Sequence, residues 1–123
     1  MRIVLKSKEE IGKIKEASRI VGVCLEKLKD FIRPGVSTLE IDQYVETIIR
    51  EEGGVPGFKG YQGFPASACV SINDEVVHGI PTARRLVCDG DIVSVDIGVV
   101  KKGYNGDGAF TYIVGKVDDQ AIK

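Results

Sequence analysis

The sequence predicts an α+β fold, two helices packed on a mostly antiparallel sheet, and three observations carry that prediction. Two stretches in the first half open with capping boxes and continue with apolar residues at helical spacing. A later stretch from Ile92 to Val100 alternates strictly between apolar and mixed faces. After a break at Lys101-Lys102-Gly103, the run Phe110 to Val114 is rich in aromatic and β-branched residues and reads as the returning strand of a hairpin.

The first helix opens at Ser7-Lys8-Glu9-Glu10, with Ser7 as N-cap and Glu10 reaching back to it. Ile11, Ile14, Val21, Leu25, Leu28 and Ile32 then form its apolar stripe, and Pro34-Gly35 stops it. Cys24 falls on that stripe and is assigned to the core. Ser37-Thr38-Leu39-Glu40 repeats the capping box and opens a second helix with Ile41, Val45, Ile48 and Ile49 on one face, closed by Gly53-Gly54. Charges such as Lys13, Lys15, Glu16 and Arg50 form solvated faces, so both helices are scaffold.

From Val55 to Ala68 the chain is too rich in Gly and Pro for a regular element, yet Phe58, Tyr61 and Phe64 recur every third residue. A short strand, Cys69 to Ile72, follows, then a turn at Asn73-Asp74-Glu75. The chain's one histidine, His78, sits between an apolar pair and Gly79-Ile80-Pro81, at a strand end where a side chain can face a cleft. Arg84-Arg85 reads as an exposed connection and Asp89-Gly90-Asp91 as a turn.

In the alternating stretch Val93, Val95, Ile97 and Val99 share one face, and Asp96 stands on the other. Where Asp107 lands depends on the turn. With Lys102-Gly103 as a two-residue turn, Asp107 lies opposite Gly98, diagonal to Asp96 on the same face; with Lys101-Lys102 it lies directly opposite Asp96. A three-residue loop without a bulge puts the two acids on different faces. In the first two registers the Cβ atoms are roughly 5 to 8 Å apart. Facing acids repel unless a cation or proton lies between them, so the pair is a candidate metal site. The competing reading puts Asp107 in a Gly-rich bulge open to water, because Gly106 and Gly108 weaken a strand.

The chain has 123 residues, enough for one domain that buries roughly two-thirds of its unfolded surface. Lys plus Arg number 17 against 18 acids, a net charge of -1, which supplies no long-range field for nucleic acid or an anionic membrane. Met1-Arg2-Ile3-Val4-Leu5 is too short for a secretory leader or a membrane span, so a cytoplasmic location is expected. Three cysteines without Cys-x-x-Cys spacing argue against a disulfide frame or a structural zinc site.

The runs Val76-Val77-His78-Gly79-Ile80-Pro81, Gly90-Asp91-Ile92-Val93-Ser94-Val95-Asp96, Gly106-Asp107 and Tyr112-Ile113-Val114-Gly115 resemble the N-terminal half of a type I methionine aminopeptidase, a pita-bread metallopeptidase. The resemblance implies that residues 1–123 are the N-terminal half of such a catalytic domain, with half of the pita-bread fold and the second half absent. It implies that Asp96 and Asp107 ligate a pair of divalent ions (cobalt, manganese, iron or zinc), and that His78 is catalytic and contacts the substrate near the scissile bond. It also implies that Phe58, Tyr61, Phe64 and Cys69 line the pocket for the methionine side chain, where sulfur packs well against aromatic edges. The expected reaction is hydrolysis of the first peptide bond of methionyl peptides at the metal pair.

Past Gly115 the sequence begins helix chemistry and stops within a turn, where the family's second half would supply a histidine and two glutamates as ligands. Two carboxylates alone bind divalent ions weakly. The isolated chain is therefore expected to be inactive or nearly so, and to need a complementing C-terminal half or to form a homodimer through its exposed apolar surfaces. The competing function is a non-catalytic domain that uses the same scaffold to bind peptides or proteins.

Overall fold

A computed structural model describes residues 8–57, 66–73 and 80–115. The first helix, α1 (Lys8–Phe31), buries Ala17, Ile20, Val21, Cys24 and Leu28 along one stripe. Leu25 lies at the stripe's border and is half-buried, whereas Ala17 and Ile20 are fully covered. Cys24 is in the core as expected, and burial pushes its thiol up to about 11. The first capping box turns on Ser7, which lies outside the described residues.

The second helix, α2 (Thr38–Glu51), has its capping box in full. Ser37 Oγ accepts the Glu40 N–H at 3.0 Å, and Glu40 Oε1 accepts the Ser37 N–H at 3.0 Å, so two of the helix's orphan donors are satisfied. Ile41, Val45, Ile48 and Ile49 are buried, and the helix ends where Gly53 adopts a φ of 85°.

Among the described residues four strands follow, β1 (Val55–Pro56), β2 (Ala68–Ile72), β3 (Ile92–Lys101) and β4 (Tyr104–Ile113). β3 is central, with β4 along one side and β2 and β1 sharing the other, and every described pairing is antiparallel. Val93, Val95, Ile97 and Val99 are buried, facing the two helices with Val70, Ile72 and Tyr112. α1 lies across β3 and β4 while α2 covers β2 and β1, giving two layers with both helices on one face.

The returning strand starts at Tyr104, six residues before the run at Phe110, and passes through Gly106-Asp107-Gly108 without a bulge. The reason is steric. A Cβ at Gly106 would lie 2.6 Å from the Ser18 nitrogen and 2.7 Å from the Ala17 carbonyl carbon, and one at Gly108 would lie 2.9 Å from a Val21 methyl carbon. The glycines let α1 rest on the strand, which the helix then stabilises. Tyr112 Oη donates to the Leu25 carbonyl at 2.7 Å, fastening the same contact, and burial pushes the phenol up to about 12.

At the hairpin end, Lys101 Nζ donates to Glu16 Oε1 at 3.0 Å and to the Glu52 carbonyl at 3.1 Å. Arg19 adds ion pairs to Glu16 at 2.8 Å and to Glu52 at 3.0 Å. One charged cluster thus joins α1, the end of α2 and the end of β3. Hydrogen bonds from Arg19 and then Lys101 hold the Glu16 carboxyl down at about 2.

Candidate metal centre

The turn decides the site. Lys102 and Gly103 both have positive φ, 52° and 84°, as a two-residue I′ turn requires, and its twist suits the flanking strands. Lys101 consequently pairs with Tyr104, Gly98 with Asp107 and Asp96 with Ala109. The two acids stand on one face, diagonal across the ladder, where Cβ atoms are roughly 7 Å apart. Both are exposed, on the face opposite the helices. Each carboxylate is opposite a residue with little or no side chain, Ala109 or Gly98.

Cys69 joins this face because it pairs directly with Asp96 across β2 and β3. It is half-buried, and burial, with the Asp96 charge second, pushes its thiol up. Beyond this row Ser94 and Thr111 share a hydrogen bond at 3.2 Å, and Ser71 pairs with Ser94. Among the described residues, no three His, Cys, Asp or Glu side chains converge as a complete metal cage. Two carboxylates on one face of the hairpin are hard oxygen donors that fit a divalent cation drawing further ligands from elsewhere.

Phe58, Tyr61, Phe64 and His78 lie outside the described residues, so of the expected site residues the structure brings together Asp96, Asp107 and Cys69. Gly57 donates its N–H to the Gly98 carbonyl at 2.8 Å, seating the chain before residue 58 against the site strand. Of the expected turn Asn73-Asp74-Glu75, Asp74 and Glu75 lie outside the described residues; Asn73 has φ 59°, its Oδ1 accepts the Ile92 N–H at 2.9 Å and its Nδ2 donates to Asp91 at 3.1 Å. Asp91 in turn accepts the Cys88 N–H at 2.8 Å, closing the turn before β3.

Sequence reasoning passed over Asp42. It is buried in α2, and its Oδ1 accepts the backbone N–H groups of Ser67 at 2.7 Å and Ala68 at 2.9 Å. The available signal was an acid at helical spacing with Val45 and Ile49, on the face that should be apolar.

A half-sheet backed by two helices, with paired aspartates on its open face, is the architecture of a metallopeptidase half-domain. The model of metallopeptidase family M24 matches residues 12–123, and the chain belongs to that family. Its similarity is to methionine aminopeptidases. It is 52% identical over 121 residues to methionine aminopeptidase 1 of Bacillus subtilis, covering 98% of this chain and 48% of that protein. It is 43% identical over 117 residues to the Escherichia coli K12 enzyme, covering 94% and 44%.

The solved methionine aminopeptidase of Thermotoga maritima superposes with a TM-score of 0.91 at 41% identity, over 98% of this chain and 49% of that one. An Xaa-Pro dipeptidase from Bacillus anthracis follows at 0.78 and 29%, over 96% and 32%. The fold is thus half of the pita-bread fold, and the chain spans about half the length of the methionine aminopeptidases it matches. Among the described residues no helix is long and apolar enough to cross a membrane.

Proposed function

We propose that residues 1–123 form one half of a methionine aminopeptidase catalytic domain, which removes N-terminal methionine from peptides and nascent proteins in the cytoplasm. The observation that carries this reading is the register placing Asp96 and Asp107 on one open sheet face. In this reading the two carboxylates hold and charge-balance a pair of divalent ions, with cobalt, manganese, iron and zinc all compatible with oxygen donors. When bound, the ions polarise the scissile carbonyl and lower the pKa of attacking water.

The chain's own residues supply position. Asp96 and Asp107 fix where the metals sit relative to β3 and β4, and the His78 imidazole hydrogen-bonds the substrate near the scissile bond. Phe58, Tyr61, Phe64 and Cys69 wall the pocket that accepts the unbranched methionine thioether. The remaining ligands come from a complementing half, or from a second copy in a homodimer. The similarity to whole enzymes of twice this length supports the first source. Exposed apolar side chains at Val55, Ile92 and Ile113 support association in either form.

Titration of manganese into the chain by calorimetry, with an Asp96→Asn, Asp107→Asn double variant and a methionyl-peptide hydrolysis assay, tests the reading. Binding that the double variant abolishes is the expected result, weak without turnover if a complementing half is required and tight with turnover if a second copy completes the site. Binding that survives in the double variant would overturn the metal assignment. Absent binding without turnover would, like weak binding, mean that the chain is half of an aminopeptidase that needs its complementing half.

A further inference from the structure

We propose that Asp42 is a positioning residue of the candidate site, because it fixes where β2 begins and so holds Cys69 beside Asp96. A carboxylate buried at 6% exposure is costly unless its oxygens are satisfied. Here one oxygen accepts two consecutive backbone N–H groups, those of Ser67 and Ala68, at 2.7 and 2.9 Å. One helical turn further on, Glu46 accepts the Ser67 hydroxyl at 2.8 Å. Acids at i and i+4 of α2 therefore grip one point of the chain, immediately before the strand that carries Cys69.

The grip matters because the strand's own pattern leaves its register underdetermined. A one-residue slip of β2 would turn Ala68, Val70 and Ile72 away from the helices, and burial forbids it. A two-residue slip keeps the apolar face inward, so it must be opposed at the strand's ends, and at the far end the Asn73 N–H donates to the Ile92 carbonyl at 2.7 Å while Asn73 Oδ1 accepts the Ile92 N–H at 2.9 Å. Such a slip would set Ser67 or Ser71 opposite Asp96 in place of Cys69. The Asp42 clasp distinguishes these registers at the near end, since only one of them brings Ser67 and Ala68 to its carboxylate.

The functional meaning of the clasp rests on the reading of Cys69 as a pocket wall; the placement itself does not. Iodoacetamide labelling of the chain, resolved by peptide mass spectrometry, reports how Cys69 is held. Asp42→Ala strands two buried donors and is expected to raise the Cys69 labelling rate about tenfold or more. Asp42→Asn, whose amide oxygen can still accept both N–H groups, should stay within about threefold of the unaltered chain. Tyr112→Phe, which loosens α1 elsewhere, should leave Cys69 labelling unchanged.

No rise in Asp42→Ala, or an equal rise in Tyr112→Phe, would overturn the inference. Should Asp42→Ala fail to fold, amide exchange in the unaltered chain decides. Ser67 and Ala68 are expected to exchange about a hundredfold more slowly than exposed turn amides, and equal rates would overturn the clasp. Manganese titration of the same samples judges the metallopeptidase reading separately, so that either idea can fail alone.

Discussion

Lys101 pairs with Tyr104 across a two-residue turn, and that single pairing sets Asp107 on the face of Asp96. Had the loop held one more residue without a bulge, the acids would stand on opposite faces, because side chains alternate with a period of two. The candidate metal centre is thus fixed by the backbone conformation of Lys102 and Gly103 as much as by the acids themselves.

Lys102 adopts a positive φ that its side chain disfavours. Asn tolerates that conformation and is preferred at the first position of an I′ turn. Lys102→Asn should stabilise the chain by up to about 1 kcal/mol, read as an upward shift in thermal midpoint, with manganese affinity unchanged.

The two strand glycines should differ sharply. At Gly106 an added methyl meets the backbone of Ala17 and Ser18, which cannot step aside without moving α1. Gly106→Ala should cost about 3 kcal/mol or more in denaturant unfolding. At Gly108 the obstacle is a Val21 methyl group, and Gly108→Ala should cost about 1 kcal/mol.

Acid should act on the hairpin-end cluster in a defined window. Glu16 has a folded value near 2 against an ordinary 4.5, so its contribution is present above 4.5 and is lost as pH falls through about 2. Glu16→Gln should flatten the fall of stability with acid across that window. Because the cluster is exposed to solvent, added salt should shrink the difference.

Ser37→Ala removes one half of the capping box and should destabilise the chain by about 1 kcal/mol, while Ser37→Asp should retain most of the stability. Thermal unfolding of the three chains checks the order.

The elements set by local chemistry were legible in the sequence. Ser37 and Glu40 fixed the start of α2, and the alternation around Asp96 fixed both the strand and its acid-bearing face. The register of Asp107 was legible only as a set of alternatives, because a Lys at positive φ is against preference and the hairpin could have turned at other residues. What local rules could not supply was long-range. Gly106 and Gly108 read as strand-weakening until α1 is laid across them, and Asp42 is only an unexplained acid on the apolar face of α2 until Ser67 and Ala68 arrive from 25 and 26 residues away. His78, Phe58, Tyr61 and Phe64 keep the roles their resemblance gives them, as proposals.

The separation of the two sheet faces has a consequence for the order of events. Helices, glycine contacts and the buried valines all lie behind the sheet, so the chain's folding energy is gathered on the side away from Asp96 and Asp107. The backbone entropy of aligning those two carboxylates is therefore spent during folding, before any cation or complementing segment arrives. On the proposed function, a partner that completes the site would meet carboxylates whose backbone is already placed, and its own ordering would become the main entropic cost of finishing the site.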